Sequence, residues 1–390
     1  MSLDKLKNWK SDPSKGEVFT PVELVKEMLD KIPEEVWRNP ESVFLDPCMG
    51  KGTFLIEIVS RLIYIYGYTE RDAKSRVYGY DVRVKYVNHL QRRGFVNVRH
   101  KDFLSEIFKM KFDAIVGNPP YQKRVGPNKT EALWNKFVKK IFTVSKQGGY
   151  LALVHPSGWR NIDGNFKEIQ NLLKSKLMIY LKMYSDKQGM KIFKASIIFD
   201  WYIVKNIENI EINTEIICWD GKTHFLDIRK MEFIPNGNFE EIFSKLAKDE
   251  DEKVEIIFSY SDYETRKSHM SKLQNEEFQF PCVCNVAKNE TFTLMFSNTR
   301  DNGHFGIPKL ICGSASSGTN FLIDQNGSYG ITQFSFGIVE SPENLNNLKL
   351  ALKSSKFQNF QKNIPNYSQS INYKILSKFK KDFWKEFIDE

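Results

Sequence analysis

Cysteine is scarce in this chain, at five in 390 residues. So low and odd a count does not make a disulfide framework, and a reducing, cytoplasmic compartment is the expectation. Long apolar runs are also absent. The longest, Phe54 to Tyr68, is interrupted by Glu57 and Arg61, well short of the roughly 20 mostly apolar residues that span a bilayer. The segment MSLDKLKNWKSDPSKGE carries no apolar stretch of the kind a secretory leader needs. Zinc spacing is missing too. Cys282 and Cys284 are separated by one residue, with no second Cys or His pair nearby, so no metal is expected. A fused nuclease would need a carboxylate–lysine cluster on a strand, whereas Asp251-Glu252-Lys253 is only a charged run.

What is present is enough apolar sequence for a real core, 41% against 27% charged residues. The length suits two domains. Charge is unevenly divided between them. Residues 1–205 hold 36 Lys and Arg against 22 Asp and Glu, while residues 206–390 hold 21 against 26. A positive first half suits a polyanion, whose counterions are released on contact. A generally Lys-rich composition explains the same numbers, and charge alone does not choose between them.

From Phe19 to about Asn206, helical stretches alternate with short apolar strands. Thr20 is placed to cap a helix that starts at Pro21 and runs to about Lys31. Strands are predicted at Ser42–Asp46, Arg76–Val82, Val96–Phe103, Phe112–Gly117, Tyr150–His155, Leu177–Tyr184 and Ala195–Lys205. Helices are predicted at Thr53–Tyr66, Glu131–Ser145 and Asn165–Ser175. Such alternation implies right-handed crossovers and a Rossmann-like, mostly parallel α/β sheet covered on both faces. After residue 206 the texture changes: residues 278–340 are rich in Gly, Ser, Thr and aromatics, and residues 342–390 turn helical and Lys-rich. An α+β C-terminal domain over 206–390 is expected beside a first domain over 1–205.

The first informative feature is the turn from Asp46 through Pro47, Cys48, Met49, Gly50 and Lys51 to Gly52, between a strand and a helix. Two glycines let the backbone approach a ligand at the carboxyl edge of the sheet. The pattern is neither the three-glycine dinucleotide fingerprint nor a phosphate loop. Asp46 would repel a pyrophosphate but suits an ammonium group or hydroxyls. The next strand ends in Asp81, placed to accept both hydroxyls of a ribose. Asp102 and Phe103 follow the third strand, an acid and a ring that suit an adenine. Each acid taken singly reads as a surface Asp; three at successive strand ends form a set.

The fourth strand runs into Asn118-Pro119-Pro120-Tyr121. Two prolines remove backbone donors and fix φ, so the loop is stiff. The Asn side-chain oxygen and a fixed carbonyl make two converging acceptors, and Tyr121 adds a flat stacking surface. That arrangement suits a planar NH₂ on an sp² carbon, drawn towards sp³ so that its lone pair meets an electrophilic methyl. A turn without chemistry is the bland alternative.

These motifs, in this order, resemble S-adenosylmethionine-dependent methyltransferases acting on amino groups. Over about residues 16–205 they most resemble the gamma class of DNA adenine-N6 methyltransferases of restriction–modification systems. The resemblance implies a class I methyltransferase domain followed by a target-recognition domain. It implies that Phe19 and Thr20, in Gly16-Glu17-Val18-Phe19-Thr20-Pro21, touch the methionine end of the cofactor. Asp46, Pro47, Gly50 and Gly52 would hold its amino acid moiety, Asp81 with Val82 the ribose, and Asp102 with Phe103 the adenine. Asn118, Pro119, Pro120 and Tyr121 would be catalytic, with Tyr121 stacking on a base extruded from duplex DNA. Phe193, in Lys191-Ile192-Phe193, is placed by position as the second aromatic. The turn departs from the commoner Glu-Pro-Ala or Asp-Pro-Ala in having Cys48.

The same tetrapeptide also serves enzymes that methylate release-factor glutamines and ribosomal-RNA guanines. The Phe-Thr-Pro motif and the long C-terminal region favour duplex DNA, although the second half's negative balance counts against it. A protein-amide or RNA methyltransferase and a catalytically silent DNA-specificity partner remain alternatives. A cognate restriction endonuclease is a further partner the resemblance allows. His155, Trp134 and Trp159 are read as structural.

Overall fold

The computed structural model describes residues 18–127, 129–208, 210–287, 291–313, 320–365 and 371–388. Gly16 and Glu17 of the N-terminal motif lie outside them. The chain divides into two compact units, Met1–Glu232 and Phe233–Glu390.

The first unit begins with α1 (Val22–Asp30) and α2 (Glu34–Arg38), then β1 (Phe44–Asp46) and α3 (Thr53–Tyr64). It continues through α4 (Glu70–Ser75), β2 (Val77–Asp81), α5 (Val84–Gln91), β3 (Val98–His100) and β4 (Phe112–Gly117). A hairpin follows, β5 (Gln122–Gly126) and β6 (Lys129–Ala132), then α6 (Trp134–Val144) and β7 (Ser145–Pro156). After α7 (Lys167–Lys174) come β8 (Lys176–Tyr184), α8 (Asp186–Phe193), β9 (Phe199–Glu208), β10 (Thr214–Ile217) and β11 (Thr223–Leu226).

Nine of these strands form one sheet, in the order β11-β10-β8-β9-β7-β4-β1-β2-β3. The pairings among β3, β2, β1, β4 and β7 are parallel, and β9 inserts antiparallel between β7 and β8. The expected mostly parallel, Rossmann-like sheet is therefore present. Strands covered on both faces can be apolar throughout, and all of Tyr150–Val154 in β7 is buried. On one side of the sheet, α1 and α3 supply Leu24, Val25, Met28, Leu55, Ile58 and Leu62 to a single core with Phe44, Val77 and Trp201.

Several local expectations shift. Pro21, not Thr20, occupies the cap position of α1. The helix predicted from Glu131 starts at Trp134, because Lys129–Ala132 pairs back onto Gln122–Gly126. The unit boundary lies at 232/233 rather than near 205/206. The reason is strand pairing: β10 joins β8 in parallel and β11 joins β10, so this polar stretch completes the first sheet.

The second unit has α9 (Phe239–Ser244) and two small sheets. One comprises β12 (Ile256–Ile257), β16 (Lys309–Gly313), β17 (Phe321–Asp324) and β19 (Ser335–Val339). The other comprises β13 (Met270–Ser271), β14 (Phe280–Val286), β15 (Phe292–Ser297) and β18 (Gly330–Ile331). Helices α10 (Leu345–Lys353), α11 (Ser355–Gln361) and α12 (Tyr373–Leu376) follow. This is the α+β composition expected of the C-terminal region. Lys309 and Asp324 are both buried and pair at 2.6 Å, and Asp324 also accepts from the Ser328 and Tyr329 amides. The two are also register partners at one end of the β16–β17 pairing.

Candidate functional site

Strands β1 and β4 lie side by side, but the chain leaves them in opposite directions, β1 towards β2 and β3, β4 towards β7. Such a switch point opens a crevice at the carboxyl ends of the strands. Asp46 ends β1, and Asn118 follows β4 directly. Gly117 makes the approach possible: a Cβ there would sit 3.2 Å from Asp46 Oδ1 and 3.3 Å from Pro47 Cδ.

After β1 the chain turns through Gly50, at φ +50°, and Gly52, at φ +82°. Both angles lie in the left-handed region that favours glycine. The Met49 amide donates to the Tyr80 carbonyl and the Gly50 amide to Asp81 Oδ2, each at 2.9 Å, so the turn is fastened to the end of β2. Gly52 lies behind the crevice, where a Cβ would come 2.7 Å from Leu90. Its part is the close packing of α3 on α5, and it does not line the cavity.

Asp46 is 2% exposed and accepts the Cys48 amide at 3.0 Å. Burial raises its pKa to about 7, the Cys48 amide opposes the shift, and the nearby Asp81 charge adds to it. A carboxyl so placed would gain a good deal from a cationic ligand. Asp81 is differently provided. Oδ1 accepts the Arg83 amide (2.8 Å) and Arg83 Nε (3.0 Å), and Oδ2 accepts the Gly50 amide and Arg83 Nη2 (3.2 Å). A ribose at this carboxylate has to share it with Arg83 or displace it. Asp102 is exposed, two residues beyond β3, and Oδ1 accepts the Leu104 amide at 2.9 Å. Phe103 beside it is buried, stacked on Phe137 with centroids 5.6 Å apart.

On the other side of the switch point stands Asn118-Pro119-Pro120-Tyr121. Oδ1 and Nδ2 of Asn118 and the Tyr121 hydroxyl are buried without a hydrogen-bond partner among the described residues. Each such orphan costs about 1–3 kcal/mol, and three together in one loop ask for an explanation. Burial raises the Tyr121 pKa, with a smaller lowering influence from Asn118, though their polar atoms do not meet in hydrogen-bond geometry. The main-chain carbonyl of Asn118 is held by the Cys48 thiol at 3.3 Å.

One cavity of about 1190 Å³ joins these groups. It exceeds the roughly 300–1,000 Å³ of a typical small-ligand site and has room for two ligands. Its walls include Phe19, Thr20, Asp46, Pro47, Gly50, Asp81, Val82, Asp102, Phe103 and Asn118 through Tyr121. The structure thus brings together every candidate except Gly52 and Phe193. Phe193 is 8% exposed and set edge-on against Phe199 at 4.8 Å, in the core. The cause is α8, whose capping box at Ser185 and Gln188 directs Phe193 inwards at the last helical turn. Ala195, two residues on, reaches the cavity instead.

Sequence reasoning gave no role to Arg83 or to Cys48 and passed over the β5–β6 hairpin. An Arg two residues after an acid was a visible signal for the first; the others needed the fold. His155 is structural as expected. It is fully buried, stacked on Trp134 at 4.3 Å, with Nε2 2.9 Å from the Tyr202 hydroxyl, and burial lowers its pKa to about 4. Trp159 and Arg160 both donate to buried Asp200, at 3.0 and 2.8 Å. Among the described residues no group of three or more His, Cys, Asp or Glu is placed to hold a metal ion. No helix among them is long and apolar enough to cross a membrane.

Residues 54–193 match the Eco57I restriction-modification methylase family. That range takes in Asp81, Asp102 and the Asn-Pro-Pro-Tyr loop. Among curated proteins, the chain is 30% identical over 127 residues to the Type II methyltransferase M.VspI of Vibrio sp. (strain 343), covering 30% of this chain and 28% of that one. It is 24% identical over 276 residues to a protein of Mycoplasma pneumoniae (strain ATCC 29342 / M129 / Subtype 1) named as an uncharacterized adenine-specific methylase, covering 44% and 65%. The matches span less than two thirds of the length of these relatives. Among solved structures, DrdV in a DNA complex aligns with 96% of this chain and 57% of its own, at TM-score 0.51 and 11% identity. The type IIG restriction endonuclease BpuSI aligns with 99% and 62%, at TM-score 0.50 and 10% identity. The resemblance to restriction–modification methyltransferases, read from motifs, holds in sequence, and the two solved structures share the fold.

Proposed function

We propose that the chain transfers a methyl group from S-adenosylmethionine to the N6 amine of an adenine extruded from duplex DNA. The observation that carries this reading is the trio of orphaned polar atoms on Asn118 and Tyr121. They stand on the same cavity wall system as a buried carboxyl whose pKa has been raised by its surroundings.

The cavity residues fit the cofactor. Asp46 is a desolvated carboxyl suited to the ammonium of a methionine moiety. Asp81 suits ribose hydroxyls, and Asp102 with Phe103 an adenine, while Phe19 and Thr20 close the same space. When bound there, S-adenosylmethionine supplies an electrophilic methyl on a sulfonium. Asn118 Oδ1 and a carbonyl of the proline-stiffened loop accept the two N–H bonds of the target amine. The nitrogen becomes more pyramidal and its lone pair more available. Tyr121 offers a ring face to the extruded base. After transfer the nitrogen is strongly acidic and gives a proton to water, so no general base is required. Asn118 loses its desolvation penalty when the amine arrives, and its bond strengthens as positive charge develops on the nitrogen, which is the part that promotes the reaction.

DNA is favoured over RNA or a protein amide by the named relatives and by a fold likeness. M.VspI and the Mycoplasma protein are described as a Type II methyltransferase and an adenine-specific methylase. The likeness to the DNA-bound DrdV structure extends over both units. On this reading residues 1–232 are catalytic, residues 233–390 recognise the target, and the setting is cytoplasmic, with a cognate restriction endonuclease as a second partner. Incubation with methyl-labelled cofactor and duplex DNA should label adenine N6, with the label lost in Asn118→Ala. Label in RNA or in a glutamine amide would refute the substrate assignment, and cofactor binding without turnover on any DNA would favour a silent specificity partner.

A further inference from the structure

Between Tyr121 and Leu133 the chain leaves the main sheet and returns as the β5–β6 ribbon. Gln122 pairs with Ala132, Lys123 with Glu131, Arg124 with Thr130 and Gly126 with Lys129. Among the described residues it pairs with no other strand. Both of its strands are largely exposed, Val125 included at 46%. An isolated two-stranded ribbon is marginally stable in water, so burial does not account for it.

Its charge does. Lys123, Arg124 and Lys129 are exposed, and none forms an ion pair with a carboxylate among the described residues. The acid of the ribbon, Glu131, is taken by Lys136 at 2.6 Å, although Lys123 lies opposite it in register. Arg124 donates to the carbonyls of Gly126 and Pro127 at 3.3 and 2.6 Å. All three cations line the cavity of Asn118 and Tyr121. The root of the ribbon is the Leu133 amide bonded to the carbonyl of Tyr121 at 3.0 Å.

We propose that the β5–β6 ribbon binds the sugar–phosphate backbone of the strand that carries the extruded base, an assignment resting on the DNA reading above. Lys123 and Lys129 feel the charge of Glu131, but with Glu131 paired to Lys136 three exposed cations face one acid, an excess suited to phosphates, and phosphate contacts fix position without reading sequence. Because the ribbon starts at Tyr121 and is closed on its carbonyl, anchoring the backbone holds the stacking ring in place. Lys123, Arg124 and Lys129 are on this account positioning residues.

The test measures affinity for two fluorescein-labelled duplexes of unrelated sequence as a function of salt. The wild type is compared with the triple variant K123A/R124A/K129A, and a wild-type melting temperature shows that the variant is folded. Each lost phosphate contact lowers the slope of log K against log salt by about 0.9. The triple variant is expected to lose about 2–3 in slope on both duplexes, while K123R/K129R retains the wild-type slope. A wild-type slope in the triple variant overturns the assignment, as does a loss confined to one duplex, which would make the ribbon a base reader. Failure of the wild type to bind any duplex would instead bring down the DNA reading itself.

Discussion

The thiol of Cys48 donates to the main-chain carbonyl of Asn118 across 3.3 Å, joining the glycine turn after β1 to the loop after β4. Burial and the neighbouring Asp46 and Asp81 charges push the Cys48 pKa well up, so the proton stays on sulfur and the donor is kept. A thiol is a weak donor, and Cys48→Ala is expected to cost about 1 kcal/mol or less. The effect should fall on kcat more than on cofactor affinity, with Cys48→Ser restoring it. Alkylation by iodoacetamide should be slow. Rapid alkylation would show that the contact is not maintained in solution.

Asn118→Ala should move activity and stability in opposite directions. Two buried orphan atoms are removed, so the melting temperature rises, by the equivalent of about 1–3 kcal/mol. Turnover falls by about 10²–10³-fold, as when a preorganised polar partner of a transition state is lost. A variant that is both inactive and less stable would mean that the Asn118 amide is satisfied by the scaffold.

At Tyr121 the ring and the hydroxyl separate cleanly. Tyr121→Phe removes an orphaned hydroxyl and keeps the stacking face, so activity is expected to survive. Tyr121→Ala should weaken DNA binding by about 1–3 kcal/mol while cofactor affinity stays unchanged, which isothermal titration would read. A loss of cofactor affinity instead would place the ring on the wrong ligand.

Asp46 predicts a pH dependence. With its pKa raised to about 7, the carboxyl must lose a proton to meet a cationic ligand. Cofactor affinity should be level at high pH and fall below pH 7, approaching about tenfold per pH unit. Linkage works against the free protein. From the ordinary value of 3.8 up to about 7 the folded chain holds a proton that the unfolded chain has released. The stability contribution of Asp46 therefore declines as pH rises through that window. Asp46→Asn should abolish the pH dependence of binding and raise the melting temperature of the ligand-free protein at pH 8. A flat binding profile in the wild type would contradict the assignment.

Much of the site was legible because it depends on strand ends. Asp46, Asp81 and the Asn118 loop each close an apolar run, and parallel pairing necessarily brings such ends to one edge. Phe193 was misplaced because its position rested on spacing from a motif, while the Ser185–Gln188 capping box created a helix that turns it into the core. Phe193→Ala should accordingly cost stability, about 3–5 kcal/mol, and not base stacking. The compact unit runs past 205 because β10 and β11 are short, and only the pairing of β10 with β8 shows to which sheet they belong. The ribbon after Tyr121 escaped notice because its charged residues fit a helix as readily as an exposed strand.

The central claim is that Asn118 and its loop grip an adenine amine for methyl transfer. Nucleoside mass spectrometry, with methylation-sensitive sequencing, on DNA from cells expressing the wild type or Asn118→Ala tests it most directly. The account predicts N6-methyladenine at a recurring sequence with the wild type and little or none with the variant. Unmodified adenine in both, or methylation at the wild-type level in Asn118→Ala, would contradict it.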